Sequence, residues 1–185
     1  MGIAAGSLSD TKLAVRTVAD TMVGRVVVAA TDAGVIWLAT HAAGDLALDP
    51  YQPGKMDAAK IADQAEAELI AYFSGEQRNF SVPVCLDGLS GFQRLVLEHV
   101  ARIPYGQVET YGEVAMRIGK AGSARAVGGA LARNPIGIII PCHRVVAHDG
   151  RMHGFSAPEG IHGKAKLLQH EGIIVRDLRV RFDEK

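Results

Sequence analysis

The chain has only two cysteines in 185 residues, Cys85 and Cys142. One disulfide is the most they can form, so the fold does not rest on a disulfide framework. In a reducing compartment both remain thiols. Two cysteines without a clustered histidine pattern also argue against a tetrahedral zinc site, and neither metal nor cofactor is expected. No apolar run reaches the roughly 18 residues of a membrane span, because charges, Gly or Pro interrupt each one. The opening Met1-Gly2-Ile3-Ala4-Ala5-Gly6 lacks the basic flank and apolar stretch of a secretory leader. Gly6 stands where a myristoylation signal carries Ser or Thr. There is no internal repeat and no low-complexity tract. A soluble, cytoplasmic protein is expected, without membrane contact.

Net charge is also missing: 20 Lys+Arg balance 20 Asp+Glu. Taken alone, that speaks against a nucleic-acid binder, but the distribution speaks for one. Residues 1–90 carry 6 cations and 11 anions, a balance of −5, whereas residues 91–185 carry 14 and 9, a balance of +5. Ten of those fourteen cations are arginine. A basic C-terminal half suggests a nucleic-acid face confined to it; a chance split of a neutral surface is the competing reading. Hydrophobic residues make up 48% of the chain, ample for a packed core in one domain or two small lobes.

Val26-Val27-Val28 and Val35-Ile36-Trp37-Leu38 flank the turn residues Thr31-Asp32-Ala33-Gly34, which predicts a hairpin. Residues 1–12 read as a loose terminus and 42–56 as a loop. Ile61, Ala65, Leu69 and Tyr72 recur at helical spacing over 58–73, and Ser74-Gly75 ends that helix. Phe80 to Val84 is extended and contains Pro83. The stretch 87–91 is the expected boundary between lobes. A helix over 92–103 presents Leu95, Val96, His99 and Val100 on one face. Thr110 with Glu113 forms a capping box for a helix through Ile118. Gly119 to Gly122 make a turn, and Ser123 caps a second helix to about Ala132, so the pair reads as a helix-turn-helix. Ile136 to Ile140 reads as a buried extended piece leading to Cys142. Lys164 to His170 is a last helix, closed by Glu171-Gly172. Cys85 reads as a core filler.

The adjacent pair Cys142-His143 is the candidate for chemistry. A thiol is useful as a thiolate, and a neighbouring imidazole can take its proton. Neighbours in sequence do not face each other in regular structure, so a relay needs a turn or a bridging water after Pro141. It also needs a carboxylate to orient the ring, which the residue pattern does not single out. A buried, inert cysteine is the alternative.

The surroundings carry a resemblance. Pro141-Cys142-His143-Arg144-Val145 follows Asn134-Pro135 and an isoleucine-rich stretch, and precedes Asp149-Gly150-Arg151-Met152-His153-Gly154-Phe155-Ser156. Upstream stand Ile103-Pro104-Tyr105-Gly106, Thr110-Tyr111-Gly112-Glu113-Val114-Ala115 and Ser123-Ala124-Arg125-Ala126-Val127-Gly128-Gly129-Ala130. Together these resemble the O6-alkylguanine-DNA alkyltransferases over about residues 88–175, with 12–85 similar to that family's N-terminal lobe.

The resemblance implies an α/β N-terminal lobe, a small ribonuclease-H-like β-sheet plus helix over 1–87. It implies a mainly α C-terminal lobe over 88–185 with a winged-helix-like helix-turn-helix. The partner implied is double-stranded DNA containing O6-alkylguanine, held through its minor groove by a monomer. Cys142 would accept the alkyl group once, irreversibly; His143 would draw off the thiol proton through a water; Glu171 would hold His143. Asn134 would join the recognition helix to the active-site loop, and Arg144 would be a buried structural cation. Tyr111, Val145, Phe155 and Ser156 would line the base and alkyl pocket, with the Ser156 amide donating to O6. Arg125 would replace the flipped base in the stack, on a helix contacting DNA through Ser123, Ala126 and Gly128. Transfer from O4 of thymine is a further expectation.

Two departures stand out: Phe155 occupies a position usually held by tyrosine, and the stretch 157–163 is about two residues longer than is usual in the family. Three other readings have discriminators. A non-catalytic lesion binder would replace the acceptor cysteine, which is present. A transcription regulator would add a metal domain with its own cysteines. An unrelated thiol hydrolase leaves the helix-turn-helix and Arg125 unexplained.

Overall fold

The structure is a computed structural model and describes residues 13–41, 52–53, 56–155 and 158–182. The expectations for residues 1–12, for most of the 42–56 loop and for Ser156 lie outside the described residues.

The hairpin expected over 26–38 is part of a larger sheet. Strands β1 (Ala14–Thr21), β2 (Gly24–Thr31), β3 (Gly34–His41) and the short β4 (Gln52–Pro53) make an antiparallel sheet in the order β3-β2-β1-β4. The β2–β3 register pairs Val27 with Ala39 and Val28 with Leu38. Helix α1 (Met56–Phe73) packs on β1 and β2. Its buried side is Ala58, Ala62, Ala65, Leu69 and Tyr72, with Glu68 among them. Three alanines let the helix axis approach the sheet closely, and Leu69 and Tyr72 fill the far end. Burying Leu69 alone contributes about 1.5–3 kcal/mol. Glu68 is stable inside because it accepts from Ser81 N, Ser81 Oγ, Val82 N and Gln64 Nε2, which also pins the segment after the helix.

Helix α2 (Gly91–Val100) starts at Ser90, whose hydroxyl accepts from Gln93 N. Its inward face is Gln93, Val96, Leu97 and Val100. Leu95, expected on that face, is an exposed side chain instead. The helix starts one residue earlier than expected, and the inward face is rotated by under a quarter turn, away from Leu95 and toward Leu97, with Val96 and Val100 kept on it. Next come β5 (Glu109–Thr110), α3 (Tyr111–Arg117) and α4 (Ala124–Leu131). The capping box is present in full: Thr110 Oγ1 accepts from Glu113 N, and Thr110 N donates to Glu113 Oε2 at 2.6 Å. Ser123 stands at the N-cap of α4 but makes no side-chain cap bond, because its backbone is not extended there. Gly119 and Gly122 take the positive φ that the turn between the helices requires.

The isoleucine run is not a strand. Ile138 has φ +70°, unusual for a β-branched residue. It closes two tight turns, with Ile139 N on Gly137 O and Ile140 N on Ile136 O. Burial of Ile136, Ile138 and Ile140 holds the distortion in place. A 3₁₀ turn, Cys142–Arg144, follows and leads into β6 (Val145–Val146), which pairs in parallel with β5. Helix α5 (Ile161–His170) begins three residues before the expected Lys164, and β7 (Val175–Arg176) with β8 (Arg179–Val180) close the chain.

One apolar core joins sheet and helices, running from Ala14 through Leu69, Val96 and Val127 to Leu167. Backbone bonds also tie β3 to the segments that follow α1 and α4: Val35 N to Pro83 O and Leu38 N to Pro135 O. Cys85, expected as a core filler, is half-buried and tied to β3 through its own N–H on Val35 O.

Candidate active site

Cys142 opens the 3₁₀ turn and lies in a cavity of about 980 Å³. Tyr111 and Gly112 from α3, Arg125 and Gly128 from α4, His148 and His153 from the following loop, Phe155 and Lys164 line the same cavity. The helix-turn-helix therefore forms one wall of the space the thiol faces. Burial pushes the Cys142 thiol up, while the Asn134 side chain, the Lys164 charge and the backbone N–H groups of Cys142 and His143 draw it down. Asn134 bonds with both of its amide atoms. Its Nδ2 donates to Ile140 O at 2.9 Å and its Oδ1 accepts from Ile136 N, so the end of α4 is fastened to the turns before the cysteine.

His143 is fully buried behind the cavity. Its Nε2 lies 2.8 Å from Glu171 Oε1. Burial pushes the imidazole down against the pull of Glu171, so the neutral ring is favoured. Glu171 is an acceptor, which places the proton on Nε2 and leaves Nδ1 as the basic nitrogen. Among the described residues Nδ1 has no hydrogen-bond partner. Glu171 is buried at the C-cap of α5. Burial raises its carboxyl, but His143 and the Arg144 fork, at 2.9 Å on each oxygen, prevail and hold it at about 2; Gly106 N also donates to Oε2 at 3.3 Å. Arg144, itself buried, also donates Nη1 to Ile103 O at 2.6 Å.

Two residues entered the site unannounced. Tyr72, on α1, donates its hydroxyl to Glu171 Oε1 at 2.8 Å. Lys164 is buried, with Nζ donating to Val145 O at 2.5 Å and lying 5.9 Å from the centre of the Tyr111 ring. Burial brings it down to about 8. The signal available for Tyr72 was its place on a buried stripe, where a hydroxyl needs a partner. For Lys164 it was a cation among the apolar positions of the last helix.

Val145, expected in the pocket wall, is fully buried core and is not among the cavity's lining residues; its carbonyl anchors Lys164. Phe155 lines both the main cavity and a second one of about 160 Å³ that Cys142 also borders. Arg125 and Ala126 are exposed, while Tyr111, Ser123 and Gly128 are half-buried. His153 and His162 are exposed. Among the described residues no His, Cys, Asp and Glu come together as a metal-binding group, and no helix is long and apolar enough to cross a membrane.

Residues 14–86 match the ribonuclease-like domain of 6-O-methylguanine DNA methyltransferase, and residues 91–173 match its DNA-binding domain. The methylated-DNA–protein-cysteine methyltransferase of Mycobacterium leprae is 39% identical over 127 residues, 69% of this chain and 75% of the relative. That of Methanosarcina acetivorans is 44% identical over 109 residues, 59% and 68% of the two chains. The crystal structure of the O6-methylguanine methyltransferase of Mycobacterium tuberculosis superposes with a TM-score of 0.71 at 35% identity, covering 86% of this chain and 92% of that one. The same enzyme in complex with DNA superposes equally well, over 85% and 91%. With a cysteine, histidine and buried glutamate brought together beside a helix-turn-helix, and with both halves matched, the chain belongs to the 6-O-methylguanine DNA methyltransferase family, the methylated-DNA–protein-cysteine methyltransferases.

Proposed function

We propose that this protein repairs DNA by direct reversal, moving a methyl or other small alkyl group from O6 of guanine to Cys142, once per molecule. The observation that carries this is Cys142 facing a cavity walled by the helix-turn-helix, with the His143–Glu171 pair behind it. The thiol proton passes through a water to His143 Nδ1. The sulfur attacks the alkyl carbon in line, the S–C bond forms, the C–O6 bond breaks, and its electron pair enters the guanine ring. Tyr111, whose phenol is pushed up by burial and stays neutral, donates a hydrogen bond to the ring as that charge gathers. Solvent supplies the proton that leaves guanine neutral, and His143 returns its own to solvent. A thioether has no leaving path, so the reaction is stoichiometric. O4-alkylthymine offers the same displacement.

A base stacked in a duplex cannot enter a cavity behind a helix, so the lesion is flipped out. Arg125, exposed on the cavity rim, fills the gap in the stack. The helix pair works as a winged-helix-like reader of the minor groove, with Ser123, Ala126 and Gly128 against the backbone. The lobes divide as 1–87 and 88–185, the first supporting the second, and a monomer suffices. Phe155 keeps the ring of the usual tyrosine without its hydroxyl, which favours apolar alkyl groups over polar ones.

The test is intact-protein mass spectrometry after incubation with a duplex containing one O6-methylguanine. A gain of one methyl, mapped to Cys142 and absent in Cys142→Ala, is the expected result. Lesion-selective binding without mass gain overturns transfer and leaves a lesion sensor.

Gly128 supplies a second test. A Cβ there would meet the Tyr111 ring at 3.8 Å, an ordinary contact, so packing within the chain does not demand glycine. Close approach of DNA does. Gly128→Ala is therefore expected to raise helix stability by about 0.5–1 kcal/mol while weakening duplex binding. Unchanged affinity in a fluorescence-anisotropy titration would remove α4 from the interface.

A further inference from the structure

The carboxylate behind His143 is shared between the two halves of the molecule. Three donors meet on Glu171 Oε1: His143 Nε2 at 2.8 Å, Arg144 Nη2 at 2.9 Å and Tyr72 Oη at 2.8 Å. The first two belong to the cysteine turn; the third comes from α1, on the sheet side. Tyr72 is fully buried and its ring is held on several sides, with Phe80 at 5.3 Å, His170 at 5.1 Å and Tyr105 at 6.2 Å between centroids. Its carbonyl is engaged by His170 Nε2 at 2.7 Å. The hydroxyl is thus placed by α1 and has an ionised acceptor in front of it. Burial and the Glu171 charge push the phenol up, so it remains a donor.

We propose that Tyr72 is a positioning residue of the acceptor site: by donating to Glu171 Oε1 it limits how much of that carboxylate's charge His143 draws on, and so sets how strongly Nδ1 takes up a proton. The proposal rests on the reading of Cys142 as acceptor, with His143 as its base. The other charged or titratable groups around the imidazole are Arg144 and Cys142 on its own turn, Lys164 and Glu171 from α5, and Tyr105, whose ring lies 5.9 Å from the Arg144 guanidinium. Arg144 alone satisfies both carboxylate oxygens, so Tyr72 is not needed to hold Glu171 in place. Its effect is on charge. A carboxylate oxygen that loses one donor binds the remaining ones more strongly, and a histidine with a stronger acceptor on Nε2 is more basic at Nδ1.

Tyr72→Phe removes only the hydroxyl. The titration midpoint of His143, followed by side-chain nitrogen NMR, is expected to rise by about one pH unit, a roughly tenfold gain in proton affinity. Alkylation of Cys142 by iodoacetamide, read by peptide mass spectrometry so that Cys85 is counted apart, is expected to quicken severalfold near neutral pH. A role in packing alone would lower the melting temperature and move neither reading. Should the phenylalanine variant not fold, 3-fluorotyrosine placed at 72 keeps the ring and donates more strongly, and the midpoint is expected to fall. Unmoved midpoints and alkylation profiles overturn the proposal. Neither measurement uses DNA. Methyl uptake at Cys142 with an unmoved midpoint sinks the role of Tyr72 alone; a moved midpoint without methyl uptake in the wild-type protein sinks the acceptor reading alone.

Discussion

Glu171→Gln is expected to lower the unfolding temperature by roughly ten degrees and to slow methyl transfer by at least a hundredfold. The amide has nearly the shape of the carboxylate, so the loss is one of charge and of acceptors. Arg144 is buried and spends its Nε and Nη2 on Glu171. Leaving a buried guanidinium without its counter-charge costs about 3–5 kcal/mol, and in a chain of this size each kcal/mol moves the midpoint by about 2–4 °C. The Gln NH₂ must also face a donor, because His143, Arg144, Tyr72 and Gly106 all donate to this side chain. The kinetic loss follows from His143. Burial already disfavours its charged form, and Glu171 is what opposes that. Without the carboxylate the ring no longer takes the thiol proton, and loss of a placed general base costs about 10²–10⁴ in rate. Single-turnover transfer should be measured at a temperature where circular dichroism reports a folded variant. Transfer within threefold of wild type in a folded Glu171→Gln would remove the relay from the mechanism.

The same pair makes the wild-type fold acid-sensitive. Glu171 is held at about 2, below the 4.5 of an unperturbed carboxyl. Its contribution is fully present above about 4.5 and is lost as pH falls toward 2, an effect on the order of 3 kcal/mol. His143 works in the same direction: held neutral by burial, it binds a proton more readily when unfolded, so stability drops as pH falls below about 6.5. Denaturant melts at pH 7, 5 and 3 follow both losses in sequence.

Much of this site was legible because its signals are local. The capping box at Thr110 and Glu113, the glycine turn before α4 and the Asn134 bonds all act within six residues. The pairing of Cys142 with His143 and Glu171 came through resemblance, since no periodicity joins residues 28 positions apart. Tyr72 lies 99 positions from Glu171, and its hydroxyl looked like part of a core stripe. The isoleucine run failed for the opposite reason. Its composition favours a strand, but only Ile136 bridges to β3, and two tight turns with Ile138 at positive φ fold the rest into the support of the cysteine loop. Val145 was placed in the pocket wall by the resemblance, whereas next to β5 its side chain is buried and its carbonyl accepts from Lys164.

That carbonyl bears on the last expected result: Lys164→Met is expected to slow thiol reactivity and methyl transfer by about tenfold or more while changing stability at neutral pH by little. Lys164 is a buried ammonium whose charge favours the Cys142 thiolate. At about 8 it still carries that charge in most molecules at neutral pH. A nearby opposite charge typically moves an acid by one to three pH units, about ten- to a thousandfold in thiolate population. Methionine keeps the length and fills the space, and exchanging a buried cation for an apolar side chain is often neutral or better for stability. The one loss is the bond to Val145 O, about 1–3 kcal/mol, and the two terms oppose each other. Alkaline stability separates the lysine from the thiol. A lysine brought from 10.5 down to about 8 on folding binds its proton more readily when unfolded, so stability rises as pH climbs from about 8 to about 10.5. Cys142, pushed up by burial, contributes the reverse above about 9. Both terms are present in the wild type and only the second in Lys164→Met. The wild type should therefore gain stability relative to the variant between pH 8 and 10. Parallel stability curves over that range would show that Lys164 keeps its ordinary proton affinity in the folded protein, and thiol reactivity unchanged at pH 7 would show that its charge does not serve the thiolate.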